Sequence, residues 1–382
     1  MSIKIIADVH IGNHRKLGGE TSCGLNRRCR ETLGVLEKAV ASLEHYDRLH
    51  IAGDLLDSAR PDPRIIYATR EILKKHKNIK YSRILVGNHE QSSTEDFDHS
   101  LALLDDHNDC SPSVVSQAHT LGNAAAGASI AFYPFAPSTA PGDMLRGHGK
   151  HHATIAIAHF GIEDSETAPY LRSSGTIRFD ALHEVAQECG LAAIVCGDWH
   201  AHKLWRFDDC EIVQVGALVP TGFNNPSTIE ELAPENDPYG SIIGYEERKP
   251  TGRRITREVI PGPRFVKTRS SADVVRAYEA AQEYGHTLYL QVESSDFEKM
   301  GPFLESKLGK SGERGCYYAM VGDRKSDRKK THGAAKAAKS ASTITGALME
   351  YVENLPLPAG IDASKVYQIA SQCVQEAAKD AN

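Results

Sequence analysis

No apolar run in the 382 residues approaches the roughly 18 needed to cross a membrane, so no spanning helix is expected. No CxxC pair occurs among the eight cysteines, and their scatter reads as reduced thiols rather than a disulfide framework. No secretory pattern opens the chain. "MSIKIIADVH" carries a lysine inside its apolar run and passes at once to an acid and an imidazole. It reads as a core strand, and cytoplasm is the expected compartment. No surplus of positive charge exists either. The formal net charge of −6 excludes a protein that holds nucleic acid by bulk charge alone, though a local basic surface stays compatible with it. No internal repeat stands out. "KLGKSGE" (Lys307 to Glu313) contains GKS, but the glycine that a phosphate loop needs five residues before Gly309 is Leu304. The chain therefore carries no ATPase of its own by this motif.

What is present is a soluble-protein composition, 41% hydrophobic and 25% charged, in a chain long enough for more than one domain. Short β-branched runs recur, each ending in a polar cluster: "IKIIADVH", "RLHIAGDLLD", "SRILVGNHE", "TIAIAHFG" and "AAIVCGDWH". Near-continuous apolar strands of this kind are buried on both faces. Helical stretches such as "CRETLGVLEKAVASLEHY" and "RIIYATREILKKH" lie between them. Alternation of strand and helix predicts an α/β layered core, with ligands gathered where its strands end.

The pattern fades after about Pro261. Residues 263–323 read as helix, strand, helix, a small α+β unit of roughly 60 residues. Residues 324–340 form a basic linker, with seven Lys/Arg against one Asp between Arg324 and Lys339. Apolar period returns over 341–382. Ile344, Leu348, Val352 and Leu355 mark one helical face, and Val366, Ile369, Cys373 and Val374 another, after the break at "LPLPAG". Two such helices suit docking on their own chain or on a partner.

The chemistry sits at the strand ends. Asp8 and His10 stand one residue apart, as do Asp198 and His200; Asp54 lies in "GDLLD", Asn88 and His89 in "GNHE", and His159 in "AHFG". Each piece alone has a bland reading. A lone DxH is a surface turn, Asp57 of "GDLLD" a solvated acid, and His159 a core histidine. The ordered series DxH, GDxxD, GNHE, H, GDxH is not bland. Carboxylate, imidazole and amide oxygen suit a divalent ion such as Mn²⁺ or Fe²⁺ without thiolate. Asp8, His10, Asp54, Asn88, His159, Asp198 and His200 are too many donors for one ion. They suit two ions roughly 3.5–4 Å apart, bridged by a shared carboxylate. The glycines before Asp54, Asn88 and Asp198 are expected to let the backbone turn there. "CGDWHAH" leaves two registers open, Asp198 with His200 or His200 with His202. The first is favoured, because alternation puts residues 198 and 200 on one face and Trp199 on the other.

This series resembles the calcineurin-like metallophosphoesterase superfamily. Within it, "DVHIG", "GDLLD" and "GNHE" resemble the SbcD-type nucleases of DNA double-strand-break repair, phage-encoded relatives included. "VGALVPTGF" (Val215 to Phe223) is similar to their segment after the last metal motif. The resemblance implies a layered α/β/β/α core over 1–262, a capping, DNA-binding domain over 263–323, and a helical segment over 341–382 that docks an SbcC-type, SMC-like ATPase. It implies two ions, Mn²⁺ first, with Mg²⁺ or Fe²⁺ as alternatives. Asp8, His10 and His200 would hold one with the bridging Asp54; Asn88, His159 and Asp198 would hold the other with Asp54. His89 would contact the scissile phosphate and protonate the leaving 3′ oxygen. At 198 a His is commoner in the family, but an Asp still ligates. The implied activity is exonuclease or single-strand endonuclease action on DNA, by a homodimer in a bacterial or phage-infected cell. A small-molecule phosphodiesterase or phosphatase on the same core is the alternative. His202, Arg15, Lys16, Arg27 and Arg28 are the candidate contacts to DNA phosphates.

Overall fold

The computed structural model describes residues 3–14, 18–44, 47–76, 81–91, 99–104, 112–122, 129–148, 154–165, 175–224, 226–246, 255–294 and 297–321. The linker and helices expected over 324–382, and Arg15 and Lys16, lie outside these. By compactness the chain divides into Met1–Val292 with Gly301–Ala319, and Glu293–Met300 with Met320–Asn382.

Two six-stranded sheets form the core. The first has β1 (Ile3–Ile6), β4 (Arg48–Ile51), β5 (Arg83–Leu85) and β6 (Ser113–Val115) in parallel, extended past β1 by antiparallel β15 (Ser241–Tyr245) and β16 (Ile255–Val259). The second orders β13 (Lys203–Arg206), β14 (Glu211–Gln214), β12 (Ala193–Gly197), β9 (Ile155–His159), β8 (Ser129–Tyr133) and β7 (His119–Gly122), with its four inner strands parallel. Every residue of β9 and β12 is buried, as their unbroken apolar runs require.

Ile5, Ala7 and Leu85 of the first sheet's side meet Phe132, Ile157 and Val195 of the second in one apolar layer. The other face of the first sheet is covered by α1 (Arg27–Ala41) and α2 (Pro63–Leu73), and that of the second by α3 (Pro141–His148) and α4 (Phe179–Cys189). This is the α/β layering expected from the alternation, in the α/β/β/α form that the family resemblance implies. Helix starts follow local chemistry. The Asn26 side chain accepts from Cys29 N at the head of α1, and Asp62 caps α2 with Pro63 at its first position. Short ladders β2 (Thr21–Ser22) with β3 (Leu25–Asn26), and β10 (Gly161–Glu163) with β11 (Thr176–Arg178), flank the strand ends.

Beyond the core the chain adds more strand than its pattern suggested. β17 (Pro263–Thr268), α5 (Ser271–Glu283), β18 (Thr287–Glu293), α6 (Phe297–Leu308) and β19 (Cys316–Val321) include a three-stranded sheet, where only helix, strand, helix was read. β17 hid because "PRFVKT" carries two cations. One of them, Arg264, is fully buried and donates to Asp237 Oδ2 at 2.8 and 2.6 Å.

Buried imidazoles give the fold an acid limit. His50, on β4, accepts a hydrogen bond from Arg83 N and stacks edge-on against Phe132. Burial first, then the charges of Arg83 and Arg48, push its pKa down to about 3. The unfolded chain takes this proton near pH 6.5 and the folded chain does not. Stability is therefore present above that pH and lost as pH falls toward 3, by about 1.4 kcal/mol per unit for this one group. Urea unfolding in EDTA at pH 7, 6 and 5 should show that slope reduced by one proton in His50→Gln. An unchanged slope would assign the acid sensitivity elsewhere.

Candidate metal centre

Strand register brings the candidate ligands together. Ile6 pairs with Ile51, so Asp8 leaves β1 beside Gly53 and Asp54 beyond β4; Asp8 N donates to Gly53 O and His10 N to Asp54 O. In the second sheet Gly197 pairs with His159, so Asp198 emerges one residue past the His159 ring. Asp198 N then donates to both carboxylate oxygens of Asp8, at 3.0 and 3.2 Å, joining the two sheets.

The turns sit on the ligands themselves. Asp8, His10, Asp54 and Asp198 have φ of 51°, 50°, 51° and 92°. Such conformations cost non-glycine residues of the order of 1–3 kcal/mol each and persist where surrounding bonds over-determine them. This corrects the expectation that the preceding glycines do the turning. Gly53 does have a positive φ, but Gly87 and Gly197 do not; all three are needed for clearance. A Cβ at Gly53 or Gly197 would run into the His159 ring, and one at Gly87 into Asp54.

Among the described residues, three groups have donor atoms all within 4.8 Å of one another: Asp8–His10–His200, Asp8–Asp54–His159 and His10–Asp54–His89. Asp54 is in two of them. His10 Nε2 faces His200 Nε2 at 2.9 Å and Asp54 Oδ2 at 3.7 Å. His159 bonds Ala52 O through Nδ1 at 2.7 Å, which makes Nδ1 the protonated nitrogen in the neutral ring. Its Nε2 lone pair then faces Asn88 Oδ1 at 3.2 Å, Asp54 Oδ1 at 3.5 Å and Asp198 Oδ1 at 3.9 Å. Asn88 aims its amide oxygen at acceptors too; only the opposite amide orientation would donate to Asp54, at 2.9 Å. A lone pair and an amide oxygen converging on carboxylates form an environment for a cation, and a backbone-anchored imidazole is how a metal-binding His is oriented.

The electrostatics agree. Burial, with Asp54 and Asp198 nearby, raises the Asp8 carboxyl well above its ordinary range, and burial with Asp54 raises Asp198. Burial opposes ionisation of Asp54 too, but the His159 ring, itself drawn toward its protonated form, with His10 and His89 holds that carboxyl low. His200 is pushed down to about 3 by burial and by His10, so it stays neutral with a lone pair to offer. Asp8 and Asp198, whose charge burial disfavours, a neutral His200, and a His159 ring that Asp54, Asp198 and Asp8 draw toward its protonated form against its burial together mark a site short of positive charge, which divalent ions would supply.

Other expected contacts fall differently. His89 has its side chain 41% exposed, its N donates to Asp54 Oδ1 at 3.1 Å, and its Nδ1 lies 3.4 Å from Asp57 O. His202 bonds Val215 O through Nδ1 and its N donates to Pro238 O; like Asp198 it belongs to none of the three groups, but Asp198 Oδ1 lies 3.9 Å from His159 Nε2. Trp199 packs over Gly161, where a Cβ would overlap the indole; the segment bends at Asp198, with φ 92°, rather than running on as an extended strand. Arg28 is buried. Its guanidinium lies 4.8 Å from the Phe265 ring and donates to Thr221 O at 2.6 Å. Arg27 lies 3.5 Å over the Tyr317 ring. Both thus pack α1 against aromatics of β17 and β19.

Three residues escaped the sequence reading. Asp57 is no solvated acid: its carboxylate lies 3.5 Å from His10 Nδ1 and 3.4 Å from His14 Nδ1. The "GDLLD" spacing was its signal. His14 also bonds His10 O. Glu90 is fully buried and accepts from backbone N–H groups of both central loops.

Facing sheets with an Asp/His/Asn cluster where their strands end define a metal-dependent hydrolase. Residues 1–202 match the calcineurin-like phosphoesterase family, and the chain belongs to it. No curated protein matches the chain. Among solved structures it is similar to a putative 5′-nucleotidase from Staphylococcus aureus in complex with alpha-ketoglutarate, at 11% identity and TM-score 0.41, over 74% of this chain and 58% of that one. It is similar to phosphopantetheinyl hydrolase from Mycobacterium tuberculosis at 14% and 0.36, over 56% and 89%. It is similar to an archaeal phosphodiesterase at 12% and 0.33, over 68% and 100%. The chain thus spans just over half the nucleotidase's length, and likeness at this level lends it no substrate. Among the described residues no helix is long and apolar enough to cross a membrane.

The register of "CGDWHAH" has a direct test. Asp198→Ala should weaken or lose one Mn²⁺ by equilibrium dialysis, Asp198→His should restore it, and His202→Ala should keep both. Two ions retained in Asp198→Ala, with one lost in His202→Ala, would reverse the register.

Proposed function

We propose that the chain is a two-metal-dependent DNA nuclease of SbcD type, hydrolysing phosphodiester bonds in end processing, recombination or repair beside an SbcC-type ATPase. The observation that carries this reading is the cluster of Asp8, His10, Asp54, His159 and His200, with Asn88 and Asp198 against the His159 ring and an exposed imidazole, His89, at its lip. A lip open to solvent suits a polymer laid across it better than a small ester enclosed by it. In this reading Asp8, His10 and His200 would hold one ion, Asn88, His159 and Asp198 the other, and Asp54 would serve both. Two bound divalent ions, Mn²⁺ first, would neutralise the phosphodiester and lower the pKa of the attacking water. His89, turned by Asp57 through Nδ1, keeps Nε2 for the leaving 3′ oxygen and delivers its proton. The segment over 341–382 docks the ATPase, and Arg15, Lys16 and His202 meet flanking phosphates.

The test is Mn²⁺-dependent digestion of linear duplex DNA and single-stranded circular DNA, beside bis(p-nitrophenyl) phosphate. Degradation of either DNA supports the nuclease. Hydrolysis of the ester with both DNAs intact would make the chain a small-molecule phosphodiesterase instead.

A further inference from the structure

Glu90 follows His89 in "GNHE", has no exposed surface, and is not among the candidate ligands. Its carboxylate accepts three backbone hydrogen bonds: from Gly87 N at 2.7 Å and Asp54 N at 3.2 Å on Oε2, and from Leu56 N at 2.8 Å on Oε1. Those donors belong to the two loops that carry Asp54 and Asn88. The return bond is also made, since His89 N donates to Asp54 Oδ1 at 3.1 Å. Each loop's carboxylate is thus held by the other loop's backbone. Asp54 stands at φ 51°, and a left-handed residue beside its neighbours turns successive N–H groups toward one point. The carboxyl oxygens of Glu90 fill that concavity from within the chain.

We propose that Glu90 is a positioning residue that holds Asp54 in its left-handed conformation and so sets the carboxylate shared by the two ion positions. The inference rests on the two-ion reading of the cluster. Gln is nearly isosteric with Glu but offers only one acceptor oxygen. Either orientation of its amide sets an N–H against a backbone N–H, so at least one of the three bonds is lost. The fold has other support here, because Asp8 N, His10 N and Ile11 N bond Gly53 O, Asp54 O and Leu55 O independently of Glu90.

The experiment uses the full chain with Mn²⁺ alone as probe. Wild type, Glu90→Gln and Glu90→Asp are compared by Mn²⁺ binding isotherms, thermal midpoint in EDTA, and hydrogen exchange of peptides spanning 54–56 and 87. The expected result for Glu90→Gln is a midpoint within a few degrees of wild type, faster exchange at both segments, and affinity for both ions weakened at least tenfold, the range for a lost orienting partner. Glu90→Asp keeps the carboxyl on a shorter arm and should weaken both ions likewise. If the Gln variant does not fold, the Asp variant decides. Wild-type affinity for both ions in a folded variant, whatever its midpoint, would overturn the proposal. Should the wild type itself bind fewer than two ions, the two-ion reading fails. The clamp is then judged by exchange alone, and unchanged exchange at 54–56 would overturn it.

Discussion

Asp54→Ala should bind neither Mn²⁺ ion tightly and should lose phosphodiester hydrolysis by more than the roughly 10²–10⁴-fold that a single general acid carries. The reason is its place. Its oxygens lie 3.7 Å from His10 Nε2 and 3.5 Å from His159 Nε2, so one carboxylate serves both sides of the cluster. Removing any other ligand leaves one ion position largely intact; removing Asp54 opens both and leaves the buried imidazoles and acids without their shared partner. The fold should survive, since loops 8–11 and 53–55 are paired through backbone atoms. Equilibrium dialysis with Mn²⁺ and hydrolysis of bis(p-nitrophenyl) phosphate read the two effects separately. One ion kept at wild-type affinity would mean that Asp54 does not bridge.

His89→Ala should behave in the opposite way. Two ions stay bound and DNA binding stays near wild type, while cleavage falls by about 10²–10⁴-fold. His89 is the exposed member of the cluster, and its ring stands edge-on to His10, with centroids 4.6 Å apart. It also shares a candidate ligand group with His10 and Asp54, which gives the prediction its risk. Loss of an ion in His89→Ala would make it a ligand. A smaller rate effect for a substrate with a p-nitrophenolate leaving group than for DNA would mark it as the acid, because such a leaving group needs little protonation.

Much of this site was legible because it follows from strand ends. An apolar run closing on Asp-x-His or Gly-Asn-His-Glu places its polar residues at the rim of a buried sheet, and parallel register brings the rims together. Asp8, His10, Asp54, Asn88, His159, Asp198 and His200 were readable in that way. Glu90 was not. Its partners are backbone N–H groups of another loop, and no ligand count reveals a carboxylate that holds other residues in place. The left-handed turns at Asp8, His10, Asp54 and Asp198 were hidden for a related reason. Propensity assigns such turns to glycine, while here inter-loop bonds hold acids and imidazoles in them. Arg28 read as a contact to DNA phosphates, yet Phe265 and Thr221 O, more than 190 residues on, bury it. Strand β17 was blurred by charged residues that long-range partners accommodate, Arg264 on Asp237 above all.

The most direct measurement is anomalous scattering at the manganese edge from crystals grown with Mn²⁺. The account predicts two peaks roughly 3.5–4 Å apart with the Asp54 carboxylate between them. One should be ringed by Asp8, His10 and His200, the other by Asn88, His159 and Asp198. A single peak, or two peaks that Asp54 does not bridge, would contradict it.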